Sequence, residues 1–317
     1  MENKLIPIPE ADRVAPRCPV FGICGGCQLQ HLGYEAQLRL KEERLREALA
    51  GIDLSRVHVL PIIPAPSPWH YRHRVQVQRT TEGTIGFYTP GSHQLVPIDA
   101  CPIAHPGINA AIVRLKTPSL QPVRLELIWD EAKQVVSHYM DGSQNRYFTQ
   151  VNPEQNQQLK QVVLEWLSPA PGMSLLELYA GAGNFTLPLA RRGASITAIE
   201  SSEEAVAAGI KHSRDLPIDW IVSGTRRALR DFQSTRPPRR FDAALLDPPR
   251  KGLDDCATLL NNLALPTLLY ISCNPTALAR DLRTLTQDGP YRLTRLQPLD
   301  MFPQTLHLEV VAEMTMA

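Results

Sequence analysis

The chain has 317 residues, of which 43% are hydrophobic and 21% charged, and its formal net charge is +1. This balance is typical of a soluble globular protein long enough for two domains, and the near-neutral charge excludes a strongly basic nucleic-acid-binding domain. No stretch approaches the roughly 18 uninterrupted apolar residues of a membrane helix. The first residues also lack the apolar core of a signal peptide, which predicts a cytoplasmic protein with no membrane partner.

The first motif is a group of cysteines near the start of the chain. Cys18, Cys24 and Cys27 form a C-x5-C-x2-C pattern, and Cys101 follows much later. Four thiolates can close a metal site, which a cytoplasmic chain favours over disulfides because its thiols are kept reduced. The donor set suits either zinc or an iron–sulfur cluster. Here Cys24 and Cys27 form a close C-x2-C pair, and Cys18 and Cys101 are isolated on either side of it. This arrangement is more typical of a loop around a cubane iron–sulfur cluster.

Residues 34–50 carry an amphipathic pattern that predicts a helix, with Leu38, Leu45 and Leu49 on its apolar stripe. Alternating segments follow, and they predict a small, mostly antiparallel sheet with strands at residues 71–78, 84–88, 94–98 and 124–129.

Local basic patches are the candidate contacts for nucleic acid. The first is Arg72-His73-Arg74, and the second is the run of arginines from Arg226 to Arg240. For the second patch, solvated surface arginines are an equally good interpretation.

From residue 154 the pattern changes to helices that alternate with short apolar strands. Helices are predicted at 154–167, 184–192 and 203–212, and strands at 174–178, 195–199, 243–246 and 267–271. Repeated βα units predict a parallel sheet covered on both faces, with ligand sites at the carboxyl ends of its strands.

The first ligand-binding motif follows the strand at 174–178. Gly181 and Gly183 let the backbone approach a ligand closely, although glycine pairs at such turns are common. Glu200, at the end of the next strand, can accept hydrogen bonds from the hydroxyls of a ribose. At this point both NAD and S-adenosylmethionine are possible ligands.

Two later motifs favour methyl transfer. Asp247-Pro248-Pro249-Arg250 follows a strand, and D-P-P segments are a feature of methyltransferases that place a nucleobase beside the methyl donor. Cys273 follows the strand at 267–271 and precedes Asn274-Pro275, where a helix begins. A free cysteine is most often a small buried hydrophobic residue, but a helix N-terminus lowers the pKa of a thiol, which favours a nucleophile.

These residues resemble the RNA uracil-C5 methyltransferases, which make 5-methyluridine in tRNA or 23S ribosomal RNA. The resemblance covers nearly the whole chain and rests on seven segments, which occur in the family's order: the cysteine motif with Gln28-Leu29-Gln30-His31, Tyr71-Arg72-His73-Arg74, Phe148-Thr149-Gln150-Val151-Asn152-Pro153, the glycine loop, Asp247-Pro248-Pro249-Arg250, Ser272-Cys273-Asn274-Pro275 and His307-Leu308-Glu309.

The resemblance implies an α/β fold, a Rossmann-like class I S-adenosylmethionine-dependent methyltransferase domain at 148–317. A smaller, mostly β domain at 1–147 would carry the cysteine loop and bind RNA. Cys273 falls on the family's nucleophile and Glu309 on its general base. The positions that contact S-adenosylmethionine are Gln150, Tyr179, Asn184, Glu200 and Asp247, with Thr225 a further candidate.

In the ribosomal-RNA branch of the family four cysteines hold a [4Fe-4S] cluster, and the tRNA branch lacks it. Cys18, Cys24, Cys27 and Cys101 therefore imply the cluster, with zinc as the alternative, and favour 23S rRNA over tRNA. Only 17 residues precede Cys18, so we expect the small β-barrel module of some relatives to be absent. No DNA partner is expected.

Two other activities are weighed against this one. Amino-group methyltransferases usually have an aromatic residue after the D/N-P-P segment and need no cysteine, so Arg250 and Cys273 argue against that class. A non-catalytic RNA-binding iron–sulfur protein would not need Cys273 and Glu309.

Overall fold

The structure is a computed structural model that describes residues 9–140, 149–235 and 239–317. It contains a large mixed sheet and a smaller antiparallel sheet. Within these ranges no helix combines the length and apolar character needed to cross a membrane. The predicted domain boundary between residues 147 and 148, and Phe148 of one motif, lie outside the described residues.

Residues 9–140 contain the smaller domain and two elements that pack with the larger one. Their elements are α1 (Tyr34–Ala48), β1 (His58–Val59), β2 (Arg74–Arg79), β3 (Ile85–Tyr88), β4 (Leu95–Pro97), α2 (Pro106–Arg114), β5 (Val123–Asp130) and β6 (Val135–Met140). The antiparallel sheet has the order β4-β3-β2-β5-β6. This confirms the predicted small sheet, to which the structure adds β6 and α2. The side chains of β6 are largely exposed, which explains why no alternation of polar and apolar residues marked it.

The core of this domain lies between the sheet and α2. Val75 and Val77 of β2 point to the same face because side chains alternate along a strand, and they pack with Leu125, Leu127 and Ile108. The alternation of polar and apolar residues in these strands therefore indicates a sheet with one buried face.

The second part of the chain alternates helices and strands. Its elements are α3 (Pro153–Leu167), β7 (Ser174–Leu178), α4 (Thr186–Arg191), β8 (Ser195–Glu200), α5 (Glu203–His212), β9 (Ile218–Val222), α6 (Thr225–Ser234), β10 (Ala243–Leu246), α7 (Cys256–Leu263), β11 (Thr267–Ser272), α8 (Pro275–Thr286), β12 (Tyr291–Leu299) and β13 (Glu309–Met316).

The large sheet has the order β1-β12-β13-β11-β10-β7-β8-β9. All neighbouring pairs are parallel except those that involve β13, which runs antiparallel to both β11 and β12. The four strands predicted from the βα pattern, β7, β8, β10 and β11, are parallel as expected, and β13 is an antiparallel addition that the sequence did not predict. The reversal brings the start of β13 to the edge where the parallel strands end.

Helices cover both faces of the large sheet, as predicted. Leu229 of α6, Leu260 of α7 and Leu282 of α8 pack on one face, and Leu159 of α3 and Leu189 of α4 pack on the other. Helix α1 packs on the first face through its C-terminal leucines, and β1 extends the sheet beside β12. These N-terminal elements are thus structurally part of the larger domain.

Candidate active site

Five of the predicted site residues meet at one edge of the large sheet. Tyr179 follows β7, Glu200 ends β8, Asp247 follows β10 and Cys273 follows β11, while Glu309 begins the reversed strand β13. Because the carboxyl ends of neighbouring parallel strands meet at the same edge, these side chains come from separate parts of the chain into one region.

The register of β11 and β13 brings Cys273 and Glu309 together. Ser272 pairs with Val310 in this antiparallel ladder, so Cys273, the residue after Ser272, faces Glu309, the residue before Val310. Asp247 is close enough to affect the electrostatics of both side chains. The carboxylate of Glu309 is buried and has no hydrogen-bond partner within the described ranges.

The pKa values of these three groups are all raised. Burial raises the pKa of Asp247 to about 7, and burial together with the charge of Asp247 raises that of Glu309 well above its usual range. Burial, and then the charges of Glu309 and Asp247, raise the pKa of the Cys273 thiol to about 11, although Arg250 opposes this. The expectation that the helix N-terminus lowers this pKa is wrong, because desolvation and two carboxylates outweigh it.

Asn274 links the two sequence motifs that surround the nucleophile candidate. It caps α8, where its side-chain oxygen accepts a hydrogen bond from the Thr276 backbone N–H at 3.2 Å. Its side-chain amide also donates to the backbone oxygen of Arg250 at 2.9 Å. The loop after β10 is therefore fixed to the loop after β11.

Arg250 also contacts His307, which the sequence analysis gave no role. Arg250 Nη2 lies 3.2 Å from His307 Nδ1, and because a guanidinium has only donors, the imidazole nitrogen accepts. Burial lowers the pKa of His307, and the charges of Arg250, Lys41 and Arg72 lower it further. A neutral imidazole thus orients the guanidinium near Cys273.

The glycine loop leaves open space for a ligand at one glycine. Gly181 has φ +56°, and a Cβ placed on it would meet no atom within 4 Å. Its backbone N–H donates to Glu200 Oε2 at 3.0 Å. A Cβ on Gly183, in contrast, would lie 3.1 Å from Leu187, so this second glycine is required for packing as well as for its φ of +94°.

Gln150 comes shortly before helix α3 in the chain, and Asn184 contacts that helix. The Oε1 atom of Gln150 is buried and has no hydrogen-bond partner among the described residues, which is typical of a group that awaits a ligand. Asn184 exchanges two side-chain hydrogen bonds with Asn156 of α3, at 2.9 and 3.0 Å. Asn156 carries almost no signal in the sequence, since only its position one turn after the cap residue Asn152 marks it.

Tyr179 occupies the left-handed region with φ +64°, which is uncommon for a non-glycine residue and concentrates at functional sites. Its ring packs against the core. Its hydroxyl interacts with the side chains of Cys256 and Thr225 beneath the sheet edge. Cys256 itself is buried, in agreement with its interpretation as a structural cysteine.

All four predicted metal ligands line one cavity of about 530 Å³ between the cysteine loop and the small sheet. Cys18, Cys24, Cys27 and Cys101 are free thiols that interact electrostatically with one another, and burial raises the pKa of Cys27 to about 12. The structure places all four cysteines around this cavity, and the metal centre itself stays a prediction. A donor set of four thiols suits either a cubane cluster or zinc.

Side-chain hydrogen bonds hold the cysteine positions. The backbone N–H of Cys18 donates to Gln30 Oε1 at 3.0 Å. The backbone N–H of Cys101 donates to Asn109 Oδ1 at 2.8 Å, and Asn109 Nδ2 returns a bond to the Cys101 oxygen. The cavity is therefore built by residues outside the cysteine motif.

Several arginines of the two predicted basic patches form ion pairs with carboxylates of the protein. In the first, Arg74 pairs with Glu126 at 2.9 Å. In the second, Arg226 pairs with Asp255 and Arg239 pairs with Asp219. The interpretation of the second patch as surface arginines is therefore the better one for its described residues.

A second group of metal-type ligands comprises His73, His105 and Glu131, whose ligand atoms lie within 4.8 Å of one another. Two of these side chains already have protein partners. Nδ1 of His105 accepts from the Gly107 backbone N–H as the cap of α2, and Glu131 accepts from Trp129 Nε1. We therefore assign no metal to this group.

Lys41 and Asp300 form a fully buried ion pair at 2.5 Å, next to the candidate site. Tyr34 donates to the other oxygen of Asp300. The sequence analysis missed this pair because Lys41 belongs to a charged run. Its spacing of three residues from Leu38 and four from Leu45 nevertheless places it on the apolar stripe of α1.

Comparisons with known proteins identify the family of the chain. A family model described as tRNA (uracil-5-)-methyltransferase matches residues 125–315. An enzyme of Alkalilimnicola ehrlichii named 23S rRNA (uracil(1939)-C(5))-methyltransferase is 30% identical, over 96% of this chain and 83% of its own length. An uncharacterized RNA methyltransferase of Bdellovibrio bacteriovorus is 33% identical, over 99% of this chain and 83% of its own.

A solved structure has the same fold. It is the Pyrococcus abyssi tRNA (uracil-54, C5)-methyltransferase in complex with S-adenosyl-L-homocysteine, with 24% identity and a TM-score of 0.70 over 93% of this chain and 86% of that one. The predicted class I methyltransferase domain with an additional β-rich domain is thereby confirmed.

Proposed function

The chain belongs to the S-adenosylmethionine-dependent RNA uracil-C5 methyltransferase family, and from this premise we propose that it methylates C5 of a uridine in 23S ribosomal RNA. Two observations favour ribosomal RNA over tRNA: the name of a relative that matches 96% of this chain, and the convergence of four cysteines. The tRNA alternative is supported by the name of the family model.

The observation that carries the proposed mechanism is the side-by-side position of Cys273 and Glu309 at the carboxyl edge of the large sheet. C5 of uracil is a poor nucleophile until a thiolate adds to C6 and converts the ring to an enolate. Covalent catalysis of this kind divides one difficult step into easier ones. We assign the thiolate to Cys273, whose thiol must first give its proton to solvent or to a neighbouring carboxylate, because a pKa of about 11 leaves it mostly protonated near neutral pH.

The steps after thiolate addition need a general base, which the neighbouring strand β13 can supply. C5 of the enolate takes the methyl group that S-adenosylmethionine supplies when bound. A base then removes the C5 proton, the bond between Cys273 and C6 breaks, and the C5–C6 double bond is restored. Glu309 fits this role because its raised pKa makes its ionised carboxylate a stronger proton acceptor.

Asp247 and Arg250 are placed to hold the uracil ring of the target nucleotide. The Asp247 carboxyl has no hydrogen-bond partner within the described ranges and lies near Cys273, so it can bond to the polar edge of a uracil or to the methyl donor. Arg250 is held by His307 and can contact a uracil carbonyl or a phosphate.

The residues around the glycine loop fit S-adenosylmethionine. The open space at Gly181 admits a ligand against the backbone, and the unpartnered oxygen of Gln150 can accept a hydrogen bond. We propose that Gln150, Asn184 and Glu200 bind the cofactor through their side chains. Because the Tyr179 ring packs into the core, we assign its contribution to the backbone.

We further propose that Cys18, Cys24, Cys27 and Cys101 hold a [4Fe-4S] cluster, with zinc as the alternative occupant. Their shared cavity and their all-sulfur donor set support either metal, and the isolated positions of Cys18 and Cys101 favour the cluster. The cavity lies outside the catalytic edge of the sheet, so a structural role is expected of the centre.

The target uridine must leave its stack for C6 to reach Cys273, so loops or single strands are the expected form of the RNA. A cytoplasmic location, where these RNAs occur, remains a prediction from the sequence.

Replacing Glu309 by Gln tests the mechanism. The methyl group would still be transferred, but the C5 proton would stay in place, so a methylated RNA joined covalently to Cys273 should accumulate. The complex is visible as labelled protein of reduced mobility on a denaturing gel. If the Glu309→Gln enzyme turns over at the normal rate, Glu309 is not the base.

A further inference from the structure

The segment 300–308 joins β12 to β13 and leads into Glu309, and most of its hydrogen bonds to other segments come from the N-terminal part of the chain. Four consecutive backbone oxygens, those of residues 301–304, each accept a hydrogen bond from outside the segment. The donors are the side chains of Asn152, Lys41 and Tyr71, at 3.2, 3.0 and 3.0 Å, and the backbone N–H groups of Gln28 and Leu29, at 3.0 and 2.9 Å.

Gln304 is the centre of this arrangement. Its backbone oxygen accepts both N–H groups of Gln28 and Leu29. It also forms a reciprocal pair with Gln37 of α1: its backbone N–H donates to Gln37 Oε1 at 2.9 Å, and its Oε1 accepts from Gln37 Nε2 at 3.0 Å. Both side chains are buried.

The backbone of Gln304 has φ +69°, a conformation that favours glycine or asparagine. A glutamine keeps it only where surrounding contacts hold it, and here those contacts come from Gln28, Leu29 and Gln37.

We propose that Gln304 is a positioning residue for the general base and that it connects the four-cysteine centre to Glu309. Gln28 and Leu29 directly follow Cys27, so the hydrogen bonds to the Gln304 oxygen come from the two residues next to a proposed metal ligand. The inference rests on the proposed function, because it takes Glu309 as the base.

Backbone placement matters here because the Glu309 carboxylate has no hydrogen bonds of its own within the described ranges. Proton removal requires the base within about 2.6–3.2 Å of the proton donor, and a displacement of about 1 Å can cost 10²-fold in rate. A looser segment 300–308 would therefore slow the step after methyl transfer without preventing thiolate addition.

Three variants test the proposal. Gln304→Asn and Gln304→Gly both tolerate the positive φ and remove the reach of the side chain, while Gln37→Met removes the partner from α1. Gln297→Leu is the matched control, because Gln297 is a buried glutamine of β12 whose amide donates to Pro61, outside segment 300–308.

We expect the three variants to lose about 10²-fold in kcat, with KM for RNA and the affinity for S-adenosylmethionine changed less than about twofold. They should accumulate the methylated covalent complex that Glu309→Gln accumulates, whereas the control should not. A merely structural defect would lower binding and melting temperature together and leave no trapped complex.

Three results separate the possible failures. If Glu309→Gln traps the complex and the Gln304 and Gln37 variants do not, the positioning role is wrong and the proposed function stands. If these variants lose cofactor binding as well, their role is structural and the inference is overturned. If Glu309→Gln traps nothing, the assignment of the base fails, and the inference fails with it.

Hydrogen exchange tests the connection to the cysteine centre without measuring activity. Replacing Cys24 by Ser should speed exchange in a peptide that covers residues 300–308, since Gln28 and Leu29 beside the cysteine loop bind the Gln304 oxygen and so help to hold the Gln304 N–H against Gln37. Cys256→Ser, at a buried cysteine outside the centre, is the control. Equal exchange in both variants would show that the cysteine loop does not hold this segment.

Discussion

Glu309 lies directly across the antiparallel register from Cys273. One ladder pair, Ser272 with Val310, sets this relationship. A shift of the register by one residue would turn Glu309 to the opposite face of the sheet. The hydrogen bonds that hold the segment before β13 therefore matter to the chemistry as well as to stability.

Replacing Cys273 by Ala should abolish methyl transfer. Loss of a nucleophile costs about 10⁴- to 10⁶-fold in rate in other enzymes, because no other group forms the covalent intermediate. Binding of S-adenosylmethionine should change by less than about twofold, which isothermal titration calorimetry would measure. Full activity in the Cys273→Ala enzyme would refute the mechanism.

The reactivity of Cys273 should rise with pH well beyond neutrality. Only the thiolate reacts with iodoacetamide, and with a pKa of about 11 its fraction grows about tenfold per pH unit up to about pH 10. The measurement is the alkylation rate of the peptide that carries Cys273, followed by mass spectrometry in the free enzyme. A plateau near pH 8 would show that the thiol is already ionised there.

Arg250 should make that thiol more acidic than it would otherwise be, because its positive charge opposes the effect of the two carboxylates. Arg250→Gln should therefore slow alkylation of Cys273 at a fixed pH of about 8.5, while Arg250→Lys keeps the charge and should slow it less. Equal rates in the two variants would show that charge is not the cause.

The cysteine centre should contain iron and sulfide when the protein is purified without oxygen. We expect broad visible absorbance and about four irons per chain, all lost in Cys24→Ser and retained in Cys256→Ser. Stoichiometric zinc in a colourless protein would favour the alternative occupant.

The buried pair of Lys41 and Asp300 should dominate the stability of the contact between α1 and segment 300–308. Lys41→Met leaves an uncompensated buried carboxylate, which typically costs about 3–5 kcal/mol in the free energy of unfolding. Arg39 lies on the same helix as Lys41 and forms an exposed pair with Asp12, so Arg39→Ala should cost far less. Urea unfolding of both variants checks the difference, and equal costs would contradict it.

The parts of the fold that the sequence predicts well are those with a local pattern. The strand at 174–178 and the helix at 203–212 agree residue by residue with the structure, because apolar strands and capped amphipathic helices depend on short-range spacing. The reversal of β13 depends on pairing between distant strands, so its direction could not be inferred locally.

The candidate site divides in the same way. Cys273 and Asp247 can be recognised in the sequence as candidate site residues, because of their residue type and their position directly after a predicted strand. The pKa of Cys273 was predicted in the wrong direction because the helix N-terminus is visible in the sequence, whereas Glu309 becomes its neighbour only through the register of β13. Gln304 carries no signal at all until its partners in the N-terminal segment are seen.

The most direct test of the account is methyl transfer from labelled S-adenosylmethionine to undermodified total RNA, separated into 23S rRNA and tRNA before nucleoside analysis. The account predicts label in 5-methyluridine from 23S rRNA, and none after Cys273→Ala substitution. Label confined to tRNA would contradict the proposed substrate, and no label in 5-methyluridine of either fraction would contradict the proposed activity.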